Sequence, residues 1–245
     1  MNVGDHISTG SISGQSHRIG SSGNTYNIGA NPDQPVSPES RDADPLRQAL
    51  YAFADIVTYS QLTARLQKIS QQDLQDLLDA ALTQAGVRPE QVVPQDQGDA
   101  RLLWFPGGAD VARVLALMPR YLNDSLNDRN QDMAPHARMR VRLSFTMGAG
   151  EPGATGLTGK AVVAAVRLGN SGAFRRAMSA APDAQCGVIM DSHLHDEYVG
   201  QNFRPDMNSD DYAQTLIFDP DKGFEATAWM RLFGYSGQQL ADLLC

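Results

Sequence analysis

The run Ala49-Leu50-Tyr51-Ala52-Phe53-Ala54-Asp55-Ile56-Val57 is apolar except for one charge, Asp55, near its end. Its aromatic and β-branched content predicts a buried strand. A charge is poorly placed there unless something pairs with it, which makes Asp55 the first candidate for chemistry. Downstream, a helical stretch is expected from about Ser60. Ser70 with Asp73 three residues on reads as a helix start, and Leu74, Leu77, Leu78, Ala81 and Leu82 then share a face until Gly86.

Val92-Val93 and Leu102-Leu103-Trp104-Phe105 flank the polar segment Gln95 to Asp99, so a hairpin with Gly98 at its turn is expected. Val111, Val114, Leu115, Met118, Tyr121 and Leu122 mark an amphipathic helix. Met139, Val141, Leu143, Phe145 and Met147 alternate with Arg138, Arg140, Arg142, Ser144 and Thr146, which predicts a strand with one buried face. The glycine-rich Gly148 to Gly153 lacks the Gly-Lys-Ser/Thr ending of a phosphate loop and reads as a hairpin connection. Helices around 161–168, 173–180 and 192–199 and strands at 187–190, 214–218 and 224–233 complete the pattern. The fold class expected is α/β (α+β), a mixed sheet with a ferredoxin-like βαβ core.

The chain has 245 residues, room for one sizeable core plus a tail. Residues 1–45 are rich in Gly, Ser, Asn and Pro and cannot build a core alone. They read as a solvated tail and linker, or as short extended segments around Ile7, Ile12 and Ile28 that pair on a partner. Residues 46–235 form the expected folded domain and 236–245 a C-terminal tail. A net charge of −8 without a basic stripe argues against a nucleic-acid binder. Two cysteines, Cys186 and Cys245, give no disulfide framework or zinc spacing. That cysteine usage fits a reducing cytoplasm, and no run is long and apolar enough to span a bilayer, so a soluble cytoplasmic protein is expected.

Asp99 lies at the hairpin tip, and in a ferredoxin-like sheet that hairpin runs beside the first strand. Asp55, Asp99 and the Ile56 carbonyl would then form an all-oxygen site suited to hard divalent cations, a pair of which suits phosphoryl transfer. A capping or turn aspartate is the bland alternative for either residue alone.

Phe53-Ala54-Asp55-Ile56-Val57-Thr58-Tyr59-Ser60-Gln61-Leu62 resembles Phe-x-Asp-Ile-x-Gly-Phe-Thr/Ser-x-Leu of the class III nucleotidyl cyclase catalytic domain. Gly98-Asp99-Ala100-Arg101-Leu102-Leu103-Trp104-Phe105 is similar to its Gly-Asp-Gly-x-x-x-x-Phe. Gly159 to Leu168 resembles its Trp-Gly-x-Ala-Val-Asn-x-Ala-x-Arg-Leu. The resemblance implies metal-ligand roles for Asp55, Asp99 and the Ile56 carbonyl, with two divalent cations (Mg2+ or Mn2+). It implies that the backbone around Thr58, Tyr59 and Ser60 faces the triphosphate and that Arg167 stabilises charge in the transition state. It also implies a homodimer with shared sites. Lys222 resembles a late lysine that reaches the terminal phosphates, or is a turn lysine beside Gly223.

Departures accompany the matches. Val163 falls on the family asparagine, Thr158 on the tryptophan and Gln95 on the base-selecting lysine of adenylyl cyclases. The second base-reading position falls near Gly156. The reaction implied is conversion of a nucleoside triphosphate to its 3′,5′-cyclic monophosphate and pyrophosphate. The base would be read differently, as in pyrimidine cyclases of antiphage signalling. The alternatives are a catalytically silent module that binds nucleotide or dimerises, and a sensor whose tail recruits an effector protein. His193-Leu194-His195-Asp196 is set aside as a metal motif because residues two apart on a helix diverge; surface histidines are expected. Ser144, Ser171 and Ser192 lack a hydrolase context.

Overall fold

A computed structural model describes residues 48–154 and 156–244. The expectations for the N-terminal tail lie outside the described residues. The apolar run forms β1, Gln48–Ile56, and lies within a seven-stranded sheet. After it come the 3-10 turn Tyr59–Gln61, α1 (Ala64–Gln84), β2 (Val93–Gln97), β3 (Ala100–Phe105) and α2 (Val111–Gln131). β4 (Val141–Ala149), the small hairpin β5 (Glu151–Gly153) and β6 (Gly156–Thr158), α3 (Lys160–Gly169) and α4 (Gly172–Ala180) come next. The chain closes with β7 (Cys186–Asp191), α5 (Ser192–Leu194), β8 (Ala213–Asp219), β9 (Phe224–Leu232) and α6 (Gly237–Leu244).

The sheet order is β2-β3-β1-β4-β7-β9-β8. β1 runs antiparallel to both β3 and β4, and β4 runs parallel to β7, so the sheet is mixed as expected. Strand alternation assigns the two faces. Leu50, Ala52, Ala54 and Ile56 join a core with Leu74, Leu78, Leu115 and Met118 of α1 and α2. Tyr51 and Phe53 pack on the opposite face with Ala161, Val162 and Ala165 of α3.

That second helical layer overturns the expectation of one buried face for β4. Ser144 and Thr146 are as buried as Leu143 and Phe145. Their hydroxyls donate to the carbonyls of Ala165 (2.7 Å) and Ala161 (2.8 Å) on α3. Arg140 donates to the carbonyls of Met178, Ala181 and Ala184 at 2.6–2.7 Å, capping the end of α4. An alternating pattern therefore marks two different covers here: an apolar layer on one side and helix backbone acceptors on the other. Gly159, at φ 135°, lets α3 start against β4, because a Cβ there would lie 2.6 Å from the Ala149 carbonyl oxygen.

Three local expectations need correction. Ser70 does not start a helix: it is buried in the middle of α1, whose N-cap is Thr63, accepting from the Leu66 N–H at 3.5 Å. His195 is not at the surface. It is buried in a π-helical turn, His195–Val199, stacked on Trp229 at 3.7 Å and edge-on to Tyr212 at 5.6 Å. Residues 236–245 are not simply a tail, because α6 places Leu240 in the core with Ala213 and Ile217 of β8. No helix among the described residues is long and apolar enough to cross a membrane.

Candidate active site

Asp55 is the penultimate residue of β1, opposite Ala100 of β3 and Arg142 of β4. Being an odd-numbered residue of β1, it faces the α3 side. Asp99 sits in the β2–β3 turn. The Ile56 N–H donates to the Asp99 carbonyl oxygen at 3.3 Å, and Gln71 of α1 donates to the Gly98 carbonyl at 2.9 Å. These bonds hold the backbone of the Asp99 turn against the end of β1, next to Asp55.

Asp55 is not left waiting for a cation. Arg142 Nη2 contacts its Oδ2, and both side chains are 8% exposed. Burial pushes the Asp55 carboxyl above its ordinary pKa, against the pull of Arg142; Asp99 adds to the rise and Arg175 opposes it. Neither Arg142 nor Arg175 was singled out from the sequence. The alternation read Arg142 as solvent-facing, and only the β1–β4 register reveals its partner.

After Ile56 the chain turns sharply. Thr58 adopts φ 61°, ψ 21°, the left-handed region, and leads into the Tyr59–Gln61 turn. A β-branched residue is strained in that region. The backbone at Thr58, Tyr59 and Ser60 thus forms a tight turn just beyond Asp55.

Gln95 and the Gly156 region, both assigned by resemblance to base reading, are in contact. Gln95 Oε1 accepts from the Leu157 N–H at 2.9 Å. Gly156 has φ 143°, and a Cβ there would lie 2.6 Å from Gln95 Nε2.

Arg167 and Val163 are four residues apart on α3 and so share a face. With Gly159, Lys160, Ala164 and Phe224 they line a cavity of about 510 Å3. The Arg167 guanidinium stands 5.3 Å from the Phe224 ring centroid. Lys222, two residues before Phe224, is exposed in the β8–β9 turn and pairs with Asp219 at 3.4 Å. The site residues thus form three groups: Asp55 with Asp99, Gln95 with Gly156, and Arg167 with the β9 start.

Among the described residues no cluster of three or more His, Cys, Asp or Glu is arranged to hold a metal ion. The two-ion donor set expected from the resemblance does not fit as built, because the Asp55 carboxylate is already engaged by a buried guanidinium.

No family model and no curated protein matches the sequence. Solved structures do. An adenylate/guanylate cyclase/hydrolase from Silicibacter pomeroyi superposes with a TM-score of 0.53 at 19% identity, over 77% of this chain and 98% of that one. The guanylate cyclase domain of RhGC from Catenaria anguillulae in complex with GTP gives 0.48 at 13% identity, over 76% and 96%. The monomeric guanylyl cyclase domain of RhoGC from Blastocladiella emersonii gives 0.46 at 13% identity, over 75% and 94%. The first of these carries the conclusion: the chain has the fold of the adenylate/guanylate cyclase class III catalytic domains.

Proposed function

We propose that this chain is a divergent nucleotidyl cyclase that converts a nucleoside triphosphate to its 3′,5′-cyclic nucleotide and pyrophosphate, with an altered base pocket, of the pyrimidine type on the resemblance. The observation that carries the reading is that the Asp99 turn is hydrogen-bonded to the end of β1, close enough to Asp55 for its charge to be felt there, and beside the turn at Thr58 to Ser60. The ribose 3′ oxygen attacks the α-phosphorus and gives its proton to water, while the bond from the α-phosphorus to the oxygen bridging it to the β-phosphate breaks and pyrophosphate leaves with that oxygen. Arg167 holds the negative charge that develops on the α-phosphate, and a permanently charged fork suits that task. Lys222 reaches the terminal phosphates. Gln95 and the Gly156–Leu157 backbone read the base.

A head-to-tail homodimer, as the resemblance implies, would bring Asp55 and Asp99 of one chain to Arg167 and Lys222 of the other in two shared sites. Two divalent cations follow from the resemblance, but one of the two carboxylate charges is already matched by Arg142. A cyclic product suits a cytoplasmic signalling or antiphage role, with the N-terminal tail recruiting an effector protein.

A second reading, a silent module that binds nucleotide without turning it over, is favoured by two observations. Arg142 engages Asp55, and Val163 on α3 offers no hydrogen-bonding group beside Arg167. Incubation with Mn2+ and ATP, GTP, CTP or UTP, with products resolved by mass spectrometry, separates the two. A cyclic monophosphate lost in Asp99→Ala establishes the enzyme. Absence of product from all four, with nucleotide still bound, establishes the silent module.

A further inference from the structure

We infer that Arg142 is a resident cation: its guanidinium takes the place at Asp55 that a divalent ion would occupy, so metal and Arg142 compete for one carboxylate. The inference rests on the proposed nucleotide site only for its location. The contact itself stands on the β1–β4 register, which sets Asp55 opposite Arg142 on the α3 side of the sheet. Both side chains are 8% exposed, and Arg142 Nη2 lies on Asp55 Oδ2. Arg142 Nε is buried with no hydrogen-bond partner among the described residues. The pair is also closed in from below. Gly169 of α3 packs so tightly on Phe53 and Ser144, the next inward pair of the same face, that a Cβ there would lie 2.6 Å from the Phe53 ring and 3.0 Å from Ser144 Oγ.

A guanidinium keeps its charge at any pH the protein survives, so the competition cannot be relieved by proton loss. It supplies one positive charge and directed N–H donors, where a divalent ion would supply two charges and open coordination positions. The site as built therefore holds no pre-bound ion at Asp55, and a metal that arrives with a triphosphate is held by the phosphate oxygens.

The test counts bound Mn2+ by electron paramagnetic resonance of the free ion, first without nucleotide. Wild-type protein is expected to show no site tighter than millimolar. Arg142→Gln should gain one site at least tenfold tighter, lost again in Arg142→Gln/Asp55→Asn. The second arm needs no variant: with a non-cyclising triphosphate analogue, wild-type protein should hold one Mn2+ per chain. Two Mn2+ per chain in that arm, or a tight nucleotide-free site in the wild type, overturns the inference. If the analogue does not bind, the nucleotide reading fails while the nucleotide-free comparison still decides the role of Arg142. If Arg142→Gln does not fold, the wild-type nucleotide-free count decides it.

Discussion

Gln95 on β2 accepts a hydrogen bond from the backbone N–H of Leu157 on β6, tying the main sheet to the two-stranded hairpin across 62 residues of sequence. One side chain thereby fixes the distance between the two positions assigned to base reading. Gln95→Ala removes this tie, and a hydrogen bond of this kind is worth about 1 kcal/mol. The stability loss should be near that value. Discrimination among the four triphosphates, measured by competition binding, should flatten by a larger factor. Unchanged discrimination would remove Gln95 from the base pocket.

Asp55 and Asp99 should differ sharply on substitution. Asp55→Ala strands the Arg142 charge in the interior, which costs about 3–5 kcal/mol. Asp99→Ala touches a half-buried turn whose backbone bonds to Ile56 and Gln71 persist, so the loss expected is about 0.5 kcal/mol. Urea unfolding of the two variants measures the difference. Equal losses would mean that the buried pair does not form.

Thr58→Gly should stabilise the protein. A β-branched residue in the left-handed region carries about 1 kcal/mol or more of strain, and glycine adopts that region freely. The greater freedom of glycine in the unfolded chain offsets part of the gain. A rise in the urea midpoint with an unchanged slope is the expected result.

Cys186 is buried in β7, and burial pushes its thiol up to about 12. Raised above the unfolded value, this group contributes stability that is fully present below about pH 9 and is lost as pH rises toward 12. In a Cys245→Ser background the native protein should not react with a thiol reagent at pH 8, and urea should release one equivalent. Fast reaction of the folded protein would contradict the burial.

Gly169→Ala should destabilise by about 1–3 kcal/mol, because the added methyl meets the Phe53 ring and Ser144 before either can move away. Thermal unfolding reads the change. A neutral result would mean that the end of α3 stands further from the sheet.

Much of this was legible in the sequence because it is local. The strand ending in Asp55, the hairpin around Gly98, and the α2 stripe from Val111 to Leu122 all depend on periodicity or turn chemistry within a few residues. What was not legible depends on what covers a surface. Arg140, Arg142 and Ser144 look like a solvent face until α3 and α4 are laid over them, and their partners are helix carbonyls and an aspartate far away in the chain. His195 is hidden from a local reading for the same reason, since Trp229 and Tyr212, which enclose it, come from later in the chain. The contact of Gln95 with Leu157 joins the polar strand β2 to the short strand β6, and neither is long enough to carry a periodic signal. Ser70 shows the reverse error, in which a capping pattern was overridden by an unbroken helix.

The place of β1 between β3 and β4 also orders events during synthesis. β1 gains its first neighbour once Phe105 has been made, but its second edge stays open until Ala149 follows. At about 5–20 residues per second this leaves an apolar strand half-paired for seconds on the ribosome. Throughout that interval Asp55 keeps water as its partner, and its charge stands guard at the end of an otherwise sticky edge until Arg142 arrives to replace the solvent.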